Sequence, residues 1–347
     1  MPQHTCGVRS AATNIDDLAR KFYFVLTNHL IPKLPLMPFS DTASPELTHP
    51  GFQGSICALI TPFLADDTVD FAALTRLIEY QIAGGTDALV IAGSTGESVS
   101  LEVEEFEALL TASVKVAAKR IQIIAGTGTP STARSIKLGQ IAARTGCDGV
   151  LVVAPAYCRP TQEGLFQHYQ AIADVSALPI LLYNVPSRTA VDLLPETVAR
   201  LSGHAKICGI KEALPEMPRI SALLKLQNEH FSVLSGDDPT AAAAIALGAR
   251  GLISVAANAR PAAIKALVDS ARQGNQQAAI EQTRALTPLF EALSSEPNPI
   301  PVKWAMAHLG LCGHNIRLPL TRLSFTHQSA LTQALQQTTE LAATLAA

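Results

Sequence analysis

The stretch Pro179-Ile180-Leu181-Leu182-Tyr183 is a short run of mostly apolar residues, and a polar loop follows it. A run of this length and composition is typical of a strand that is buried on both faces of a parallel sheet. Eight such runs occur along the chain, at Ser55–Ile60, Asp87–Ala92, Ile121–Ala125, Gly149–Ala154, Pro179–Tyr183, Ile207–Ile210, Phe231–Leu234 and Gly251–Val255. Segments of helical period separate them, at Phe71–Ala83, Leu101–Ala118, Thr132–Thr145, Gly164–Ser176 and Pro195–Leu201. The pattern predicts an α/β protein with a (β/α)8 TIM barrel. An open parallel sheet is the alternative, because periodicity defines strand number better than closure.

The chain is longer than the barrel requires. Barrels of this type need about 250 residues, whereas the chain has 347. Only helical patterns follow the eighth run, at Pro261–Gln273, Gln276–Leu293, Pro299–Leu309 and Gln328–Ala346. We therefore expect a leader at residues 1–50, the barrel at 51–260 and a C-terminal helical extension at 261–347. The leader contains six prolines and no persistent period, so we expect it to be disordered. One hypothesis is that Met37 is the true start, which the intact mass of the native protein would decide.

Composition limits the classes of partner. The chain is 48% hydrophobic and 16% charged, with a formal net charge of −3, so no electrostatic feature favours nucleic acid. No apolar stretch reaches the roughly 18 residues of a membrane span. The six cysteines form no CxxC motif and no cluster with histidine, which argues against a metal site and against a disulfide framework. A reducing cytoplasm is the expected location.

Polar and glycine-rich segments follow the predicted strands. In a (β/α)8 barrel these loops lie at the carboxyl-terminal end of the strands, which we call the barrel mouth, and they build the active site. Lys211 comes directly after the sixth run, and Tyr183 ends the fifth. Burial at a strand end disfavours the charged ammonium, and a neutral amine is a nucleophile toward carbonyl compounds. Neighbouring strands lie about 4.8 Å apart, so the phenol of Tyr183 is placed to relay protons beside Lys211. The structural alternatives are an ion pair of Lys211 with Glu212 and an amphipathic rim tyrosine.

The loop Gly93-Ser94-Thr95-Gly96-Glu97 after the second run is a candidate anion site. The loop joins the second strand to a helix, so its backbone amides and hydroxyl groups are expected to form an anion site at a helix N-terminus, where a carboxylate or a phosphate would fit. The same residues also fit a capping box of Ser94 with Glu97. A further candidate is Arg188, whose guanidinium suits bidentate binding of a carboxylate. The alternative is a surface position, which is more common for a lone arginine.

Several longer motifs together resemble the dihydrodipicolinate synthase family from about Phe52 to the C-terminus. They occur in family order and are Gly93–Ser98, Arg159–Gly164, Leu182–Thr189, Gly209–Ala213, Leu234–Asp238 and Glu296–Lys303. The resemblance implies a lyase of the pyruvate-dependent class I aldolase type, with no cofactor other than a covalent imine between pyruvate and Lys211. It also implies the substrates pyruvate and L-aspartate semialdehyde, the diaminopimelate route to lysine, and a homotetramer built of dimers.

The resemblance also assigns roles to individual residues. Lys211 resembles the Schiff-base lysine and Tyr183 the proton shuttle, while Thr95 resembles the threonine that completes the relay. Tyr157 resembles the tyrosine that reaches into the site of a neighbouring subunit. Substrate-binding positions are Ser94 and Thr95 for the pyruvate carboxylate, Arg188 for the carboxylate of the aldehyde, and Gly236 and Ile253 in the pocket wall.

Two departures qualify the resemblance. Ser94 stands where synthases usually have threonine, and related N-acetylneuraminate lyases and oxo-acid aldolases share the Gly-Ser-Thr-Gly-Glu motif. Those enzymes are the nearest alternative, although they normally lack the arginine found at position 188. A non-catalytic ligand-binding barrel is the alternative from another class, but it would need no nucleophile beside a proton relay. At the lysine-feedback positions the chain has Val103, Phe106, Pro130, Arg134 and Ala156, so we expect weak or absent inhibition by lysine.

Overall fold

The fold is a closed eight-stranded parallel barrel in a computed structural model, which describes residues 51–346, with side chains described to residue 339. The expected leader, residues 1–50, lies outside the described residues. The strands are β1 Gly54–Ala58, β2 Ala88–Ile91, β3 Gln122–Gly126, β4 Gly149–Val153, β5 Ile180–Asn184, β6 Ile207–Glu212, β7 Ser232–Ser235 and β8 Gly251–Ser254. Each strand pairs in parallel with the next, and β8 pairs with β1. The predicted barrel is confirmed and the open sheet is excluded. Strand β6 continues two residues beyond its predicted end, so Lys211 lies inside the strand.

Helices follow the strands and cover the outside of the barrel. They are α1 Phe71–Ala83, α2 Val103–Ala117, α3 Thr132–Thr145, α4 Gln162–Val175, α5 Pro186–Thr189, α6 Pro195–Leu201, α7 Met217–Leu224, α8 Ala241–Ala246, α9 Pro261–Arg272, α10 Gln276–Leu293, α11 Ile300–His308 and α12 Phe325–Ala346. Local sequence explains their ends. The N-cap side chain of Asp70 accepts a hydrogen bond from Ala73 N at 2.8 Å, and α3 ends at Gly146 in the left-handed conformation. None of the described helices is both long and apolar enough to cross a membrane.

The barrel interior is a packed core rather than a channel. Its members are mainly branched aliphatic residues with few polar atoms, namely Phe52, Ile56, Ala58, Ala88, Val90, Ile124, Leu151, Leu181, Tyr183, Val185, Cys208, Leu234 and Ile253. Tyr183 is a polar member of this cluster, and it lies at the carboxyl-terminal end of its strand. The apolar packing thus fills the barrel and leaves the polar chemistry at the mouth.

The C-terminal extension packs on the barrel through two elements. Helix α9 contacts β1 and β8, so it takes the place of the eighth barrel helix. Arg260 is buried and anchors α12: its guanidinium donates to the Thr338 hydroxyl at 3.1 Å and to the carbonyl of Leu335. The proposed domain boundary at residue 260 therefore falls just before helix α9. By its contacts, this helix still belongs to the barrel wall.

Gly139 lies in the middle of α3, and a methyl group at this position would meet no atom within 4 Å. We expect Gly139→Ala to raise the free energy of unfolding by about 0.5–1 kcal/mol, because alanine loses less backbone entropy in a helix. Gly146→Ala is the matched control in the same helix. Gly146 has φ +86°, so alanine there should destabilise the protein by about 1 kcal/mol. Urea unfolding of both variants measures the effects, and a destabilised Gly139→Ala would contradict the prediction.

His168 packs between α4 and α3, where its Nδ1 lies 2.9 Å from the Thr132 hydroxyl. Burial lowers the pKa of His168 to about 4. The imidazole of His168 binds a proton more tightly in the unfolded chain than in the folded protein. The contribution of the neutral side chain to stability is therefore complete above pH about 6.5. As the pH falls from about 6.5 to 4, up to about 3 kcal/mol should be lost. In His168→Asn the dependence of unfolding free energy on pH in this window should be flatter, and an unchanged slope would contradict the assignment.

Candidate active site

Lys211 and Tyr183 lie side by side on neighbouring strands at the barrel mouth. Their Cα atoms are partners in the register of β5 and β6, and both side chains are buried, with 5% and 6% exposure. The ammonium nitrogen lies 4.3 Å from the centroid of the tyrosine ring. Among the side chains of residues 51–339, no carboxylate lies within ion-pair distance of Lys211. The alternative partner Glu212 instead bonds to Asn184 and Arg219. The arrangement is therefore a buried amine next to a phenol.

A glycine leaves the space that the lysine side chain occupies. A methyl group at Gly236 would lie 2.8 Å from Cε and 3.0 Å from Cγ of Lys211, which is too close for any larger residue. Ile253 is fully buried in the same interior cluster as Tyr183. The acidic group that interacts with the Lys211 charge is Asp238, which accepts hydrogen bonds from Ser254 Oγ and the Val255 amide. Burial raises the pKa of Asp238, and these hydrogen bonds together with Lys211 oppose the rise. Sequence reasoning gave Asp238 no role.

The loop at residues 93–97 has amides without a partner among the described residues, but no helix directly after it. The amides of Gly96 and Glu97 donate back into the loop, to Gly93 O at 3.0 Å and Ser94 O at 3.2 Å. The amides of Ser94 and Thr95 have no partner in the described part of the chain. A short 3-10 turn, Ser98–Ser100, follows the loop, and α2 begins only at Val103. An anion site here therefore depends on two adjacent amides rather than on a helix N-terminus.

The predicted capping box of Ser94 with Glu97 is wrong. Glu97 has a left-handed backbone, φ 55°, and its carboxylate contacts Lys303 of α11. A buried ion pair between residues 206 positions apart in sequence thus replaces the local hydrogen bond, because a buried carboxylate needs a charged partner. Helix α2 has its own N-terminal bond, in which the Glu105 carboxylate accepts from Glu102 N at 3.0 Å.

The ion pair of Glu97 and Lys303 is almost fully buried. Lys303 Nζ lies 2.5 Å from Glu97 Oε1, and the two side chains are 3% and 2% exposed. The second carboxylate oxygen accepts from Arg317 N at 3.1 Å, and the ammonium lies 4.2 Å from the ring centroid of Phe63. Burial lowers the pKa of Lys303, and Glu97 opposes the shift. The sequence signal for this pair was a single lysine among the buried apolar residues of α11.

Asn298 connects two of the predicted binding residues. Its side-chain amide donates to Thr95 Oγ1 at 2.9 Å, and its backbone carbonyl accepts from Arg188 Nη2 at 3.1 Å. The C-terminal extension therefore supplies a contact between the loops after β2 and β5. The hydroxyl of Thr95 is engaged by Asn298 and makes no hydrogen bond to Tyr183. The hydroxyl of Ser94 has no hydrogen bond to any described residue.

Tyr157 is not brought to the site within one chain. It is 96% exposed in the loop after β4, and its backbone has φ 68°, a conformation that is strained for a tyrosine. Val99, in the 3-10 turn after the loop at residues 93–97, is 99% exposed. Two large apolar side chains are thus fully exposed on loops of the barrel mouth.

The closed parallel barrel is a TIM barrel, and its buried lysine and tyrosine lie at the end of the strands where enzymes of this fold have their active sites. The sequence profile described as "Dihydrodipicolinate synthetase family" matches residues 51–338, and the chain belongs to this family. It is 48% identical over 286 residues to a 4-hydroxy-tetrahydrodipicolinate synthase of Acidithiobacillus ferrooxidans, covering 82% of this chain and 98% of the relative.

Solved structures agree with this family assignment. The chloride-inhibited dihydrodipicolinate synthase of Acinetobacter baumannii complexed with pyruvate is 45% identical, with a TM-score of 0.81, covering 82% of this chain and 98% of that one. A synthase described as the first monomeric variant is 38% identical, with a TM-score of 0.81, covering 83% and 97%. The fold and family expected from the sequence are therefore confirmed.

Proposed function

We propose that the protein is a 4-hydroxy-tetrahydrodipicolinate synthase, which condenses pyruvate with L-aspartate semialdehyde in the diaminopimelate route to lysine. The single observation that supports this most is the buried amine of Lys211 beside the phenol of Tyr183. The names of the relatives and the pyruvate complex of the Acinetobacter enzyme support the choice of substrates. No external cofactor is needed, because the lysine itself forms the covalent intermediate.

The chemistry follows from the positions of these groups. The amine of Lys211 forms a C–N bond with the ketone carbon of pyruvate, and the ketone oxygen leaves as water. The methyl group of the imine then loses a proton to the Tyr183 relay, which gives an enamine. The enamine carbon attacks the aldehyde carbon, and the aldehyde oxygen takes up a proton. Cyclisation of the product through its amino group releases the lysine. Water and protons are the only other species exchanged.

The proposed binding residues surround this pair. The amides of Ser94 and Thr95 suit the pyruvate carboxylate, since both donors lie in one loop and neither has a partner among the described residues. Arg188 at the mouth would bind the carboxylate of the aldehyde substrate, and Gly236 and Ile253 would line the pocket. We propose Thr95 as the hydroxyl group that completes the relay. Ser94 is the alternative, because its hydroxyl group has no hydrogen-bond partner among the described residues. Separate Thr95→Val and Ser94→Ala variants distinguish the two by their loss of turnover.

The proposed assembly is a homotetramer, built of dimers, in the cytoplasm. The exposure of Tyr157 and Val99 supports a partner surface at the barrel mouth. In such a dimer Tyr157 would enter the neighbouring site and complete the relay. The five cysteines in the described residues are free thiols, which supports a reducing compartment.

A panel of aldehydes tests the proposed substrate. Purified protein with pyruvate should turn over L-aspartate semialdehyde, and Arg188→Ala should raise its KM much more than that of pyruvate, since a guanidinium matches the carboxylate of the aldehyde. Faster turnover with an uncharged sugar aldehyde would favour the alternative, an oxo-acid or N-acetylneuraminate aldolase. A protein that binds pyruvate without turnover of any aldehyde would favour the non-catalytic barrel.

Inhibition by lysine should be weak or absent. Pro130 and Arg134 are exposed and Val103 is half-buried, so a lysine ammonium would meet apolar atoms and a positive charge. Phe106 is only 3% exposed and packs in the core, so it presents no group to such a ligand. Steady-state assays with added lysine measure the effect, and inhibition at submillimolar lysine would contradict this prediction.

A further inference from the structure

Asn184 and Glu212 follow directly after the proposed catalytic pair on the same two strands. They are partners in the register of β5 and β6, one step beyond Tyr183 and Lys211. Both are completely buried. Since side chains alternate along a strand, Asn184 and Glu212 face the helix layer while the catalytic pair faces the barrel interior. The two pairs therefore sit back to back at one level of the barrel.

Direct side-chain hydrogen bonds join Asn184 and Glu212 across the two strands. Asn184 Nδ2 lies 3.1 Å and 3.0 Å from the two carboxylate oxygens of Glu212. Asn184 Oδ1 accepts from Leu193 N at 2.9 Å, and Glu212 Oε1 accepts from Leu214 N at 2.9 Å. Both side chains are thus fixed by backbone groups as well as by each other. We call this pair of side chains the Asn184–Glu212 tie.

Two further charged residues close the tie on the outer side. Arg219 of α7 donates from Nε to Glu212 Oε2 at 3.1 Å and from Nη1 to Asp192 Oδ2 at 3.1 Å. Asn184 Nδ2 also lies 2.8 Å from Asp192 Oδ1. With two carboxylates and one guanidinium, the group has satisfied hydrogen bonds at every member. Such fully connected buried networks hold one geometry and are costly to break.

The catalytic pair itself has no comparable restraint. Lys211 and Tyr183 are in contact through the face of the ring, and no hydrogen bond joins them among the described residues. At the other end of the same strand pair, the register between β5 and β6 shifts between Ile180 and Leu181. The strand pairing at the amino-terminal end therefore does not by itself define the register at the mouth. The tie is the side-chain contact that crosses the two strands beside the catalytic pair.

We propose that Asn184 and Glu212 are positioning residues, which hold Tyr183 at the distance from Lys211 that proton transfer on the imine requires. This inference rests on the proposed function, because it concerns the same two side chains. Proton transfer depends on the relative placement of two groups, whereas imine formation depends on the amine and the bound keto acid. Loss of the tie should therefore affect the two steps unequally.

Two half-reactions with pyruvate alone separate these steps. Borohydride trapping measures the rate of imine formation, and incorporation of deuterium from D2O into the pyruvate methyl group measures proton transfer on the imine. In Asn184→Ala the ratio of exchange to trapping should fall about 10- to 100-fold, since a misplacement of about 1 Å has effects of this size. Glu212→Gln should lower the ratio as well, because its NH2 group replaces one of two carboxylate oxygens that both accept hydrogen bonds from the protein.

A distant control decides the interpretation. Thr338→Val, which removes a buried hydrogen bond to Arg260 in the extension, should leave the ratio unchanged. If Asn184→Ala does not fold, Glu212→Gln gives the same comparison.

An equal loss of trapping and exchange in Asn184→Ala, or in Glu212→Gln where Asn184→Ala does not fold, would overturn the proposal. The tie would then be a purely structural contact. Failure of the unmodified protein to be trapped with pyruvate is a different result, since it would overturn the proposed function itself.

Discussion

Lys211→Ala is expected to lower the rate of condensation by a factor on the order of 10³ or more, while the protein remains folded. In the proposed mechanism the amine forms the covalent bond, and an alanine at this position offers no replacement. Lys211→Arg should be equally inactive, because a guanidinium stays protonated and does not attack a carbonyl group. Initial rates with saturating pyruvate and L-aspartate semialdehyde measure the effect.

The matched control is Lys225→Ala, which removes an exposed lysine that follows α7. Its rate should equal that of the unmodified protein. Thermal unfolding of all three variants shows whether a loss of rate reflects the missing amine or a loss of folded protein. Full condensing activity in folded Lys211→Ala would contradict the proposed mechanism.

Lys303→Met is expected to destabilise the protein by about 3–5 kcal/mol. It leaves the carboxylate of Glu97 buried without its cation, and an uncompensated buried charge is costly. Combining Glu97→Gln with Lys303→Met should recover a large part of this loss, because the amide oxygen can still accept from Arg317 N. Urea unfolding at pH 7 measures both variants. A loss below about 1 kcal/mol in Lys303→Met would show that the pair contributes little.

The barrel could be predicted because its strands are short, apolar and buried on both faces. All eight predicted runs match observed strands to within two residues at each end, and the helices Phe71–Ala83, Thr132–Thr145 and Pro195–Leu201 match without error. The position of Tyr183 at the end of the preceding strand also predicted its placement next to Lys211, since consecutive strands of a parallel barrel are neighbours.

Contacts between distant segments could not be predicted in this way. The capping box of Ser94 with Glu97 has the correct local spacing, but an ion pair with Lys303 takes the carboxylate instead. Asn298 likewise contacts Thr95 across 203 residues, and no periodicity carries that information. The motifs around Asn298 and Lys303 were visible in the sequence, yet their roles depend on where α11 packs.

The role of Tyr157 is a different case, because the role proposed for it needs a second chain. The sequence shows a tyrosine after the fourth strand, and the structure shows it fully exposed on a strained backbone. Neither shows the surface that covers it. Its proposed role in a neighbouring site therefore follows from the family resemblance, and exposure only makes the residue available for such a contact.

Reductive trapping with pyruvate tests the central proposal most directly. Protein is incubated with pyruvate and borohydride, digested, and mapped by mass spectrometry. The buried amine of Lys211 should capture the keto acid, so the mass of the reduced adduct should appear on the peptide that contains Lys211 and on no other lysine peptide. An adduct on a different lysine, or no adduct at all, would contradict the account.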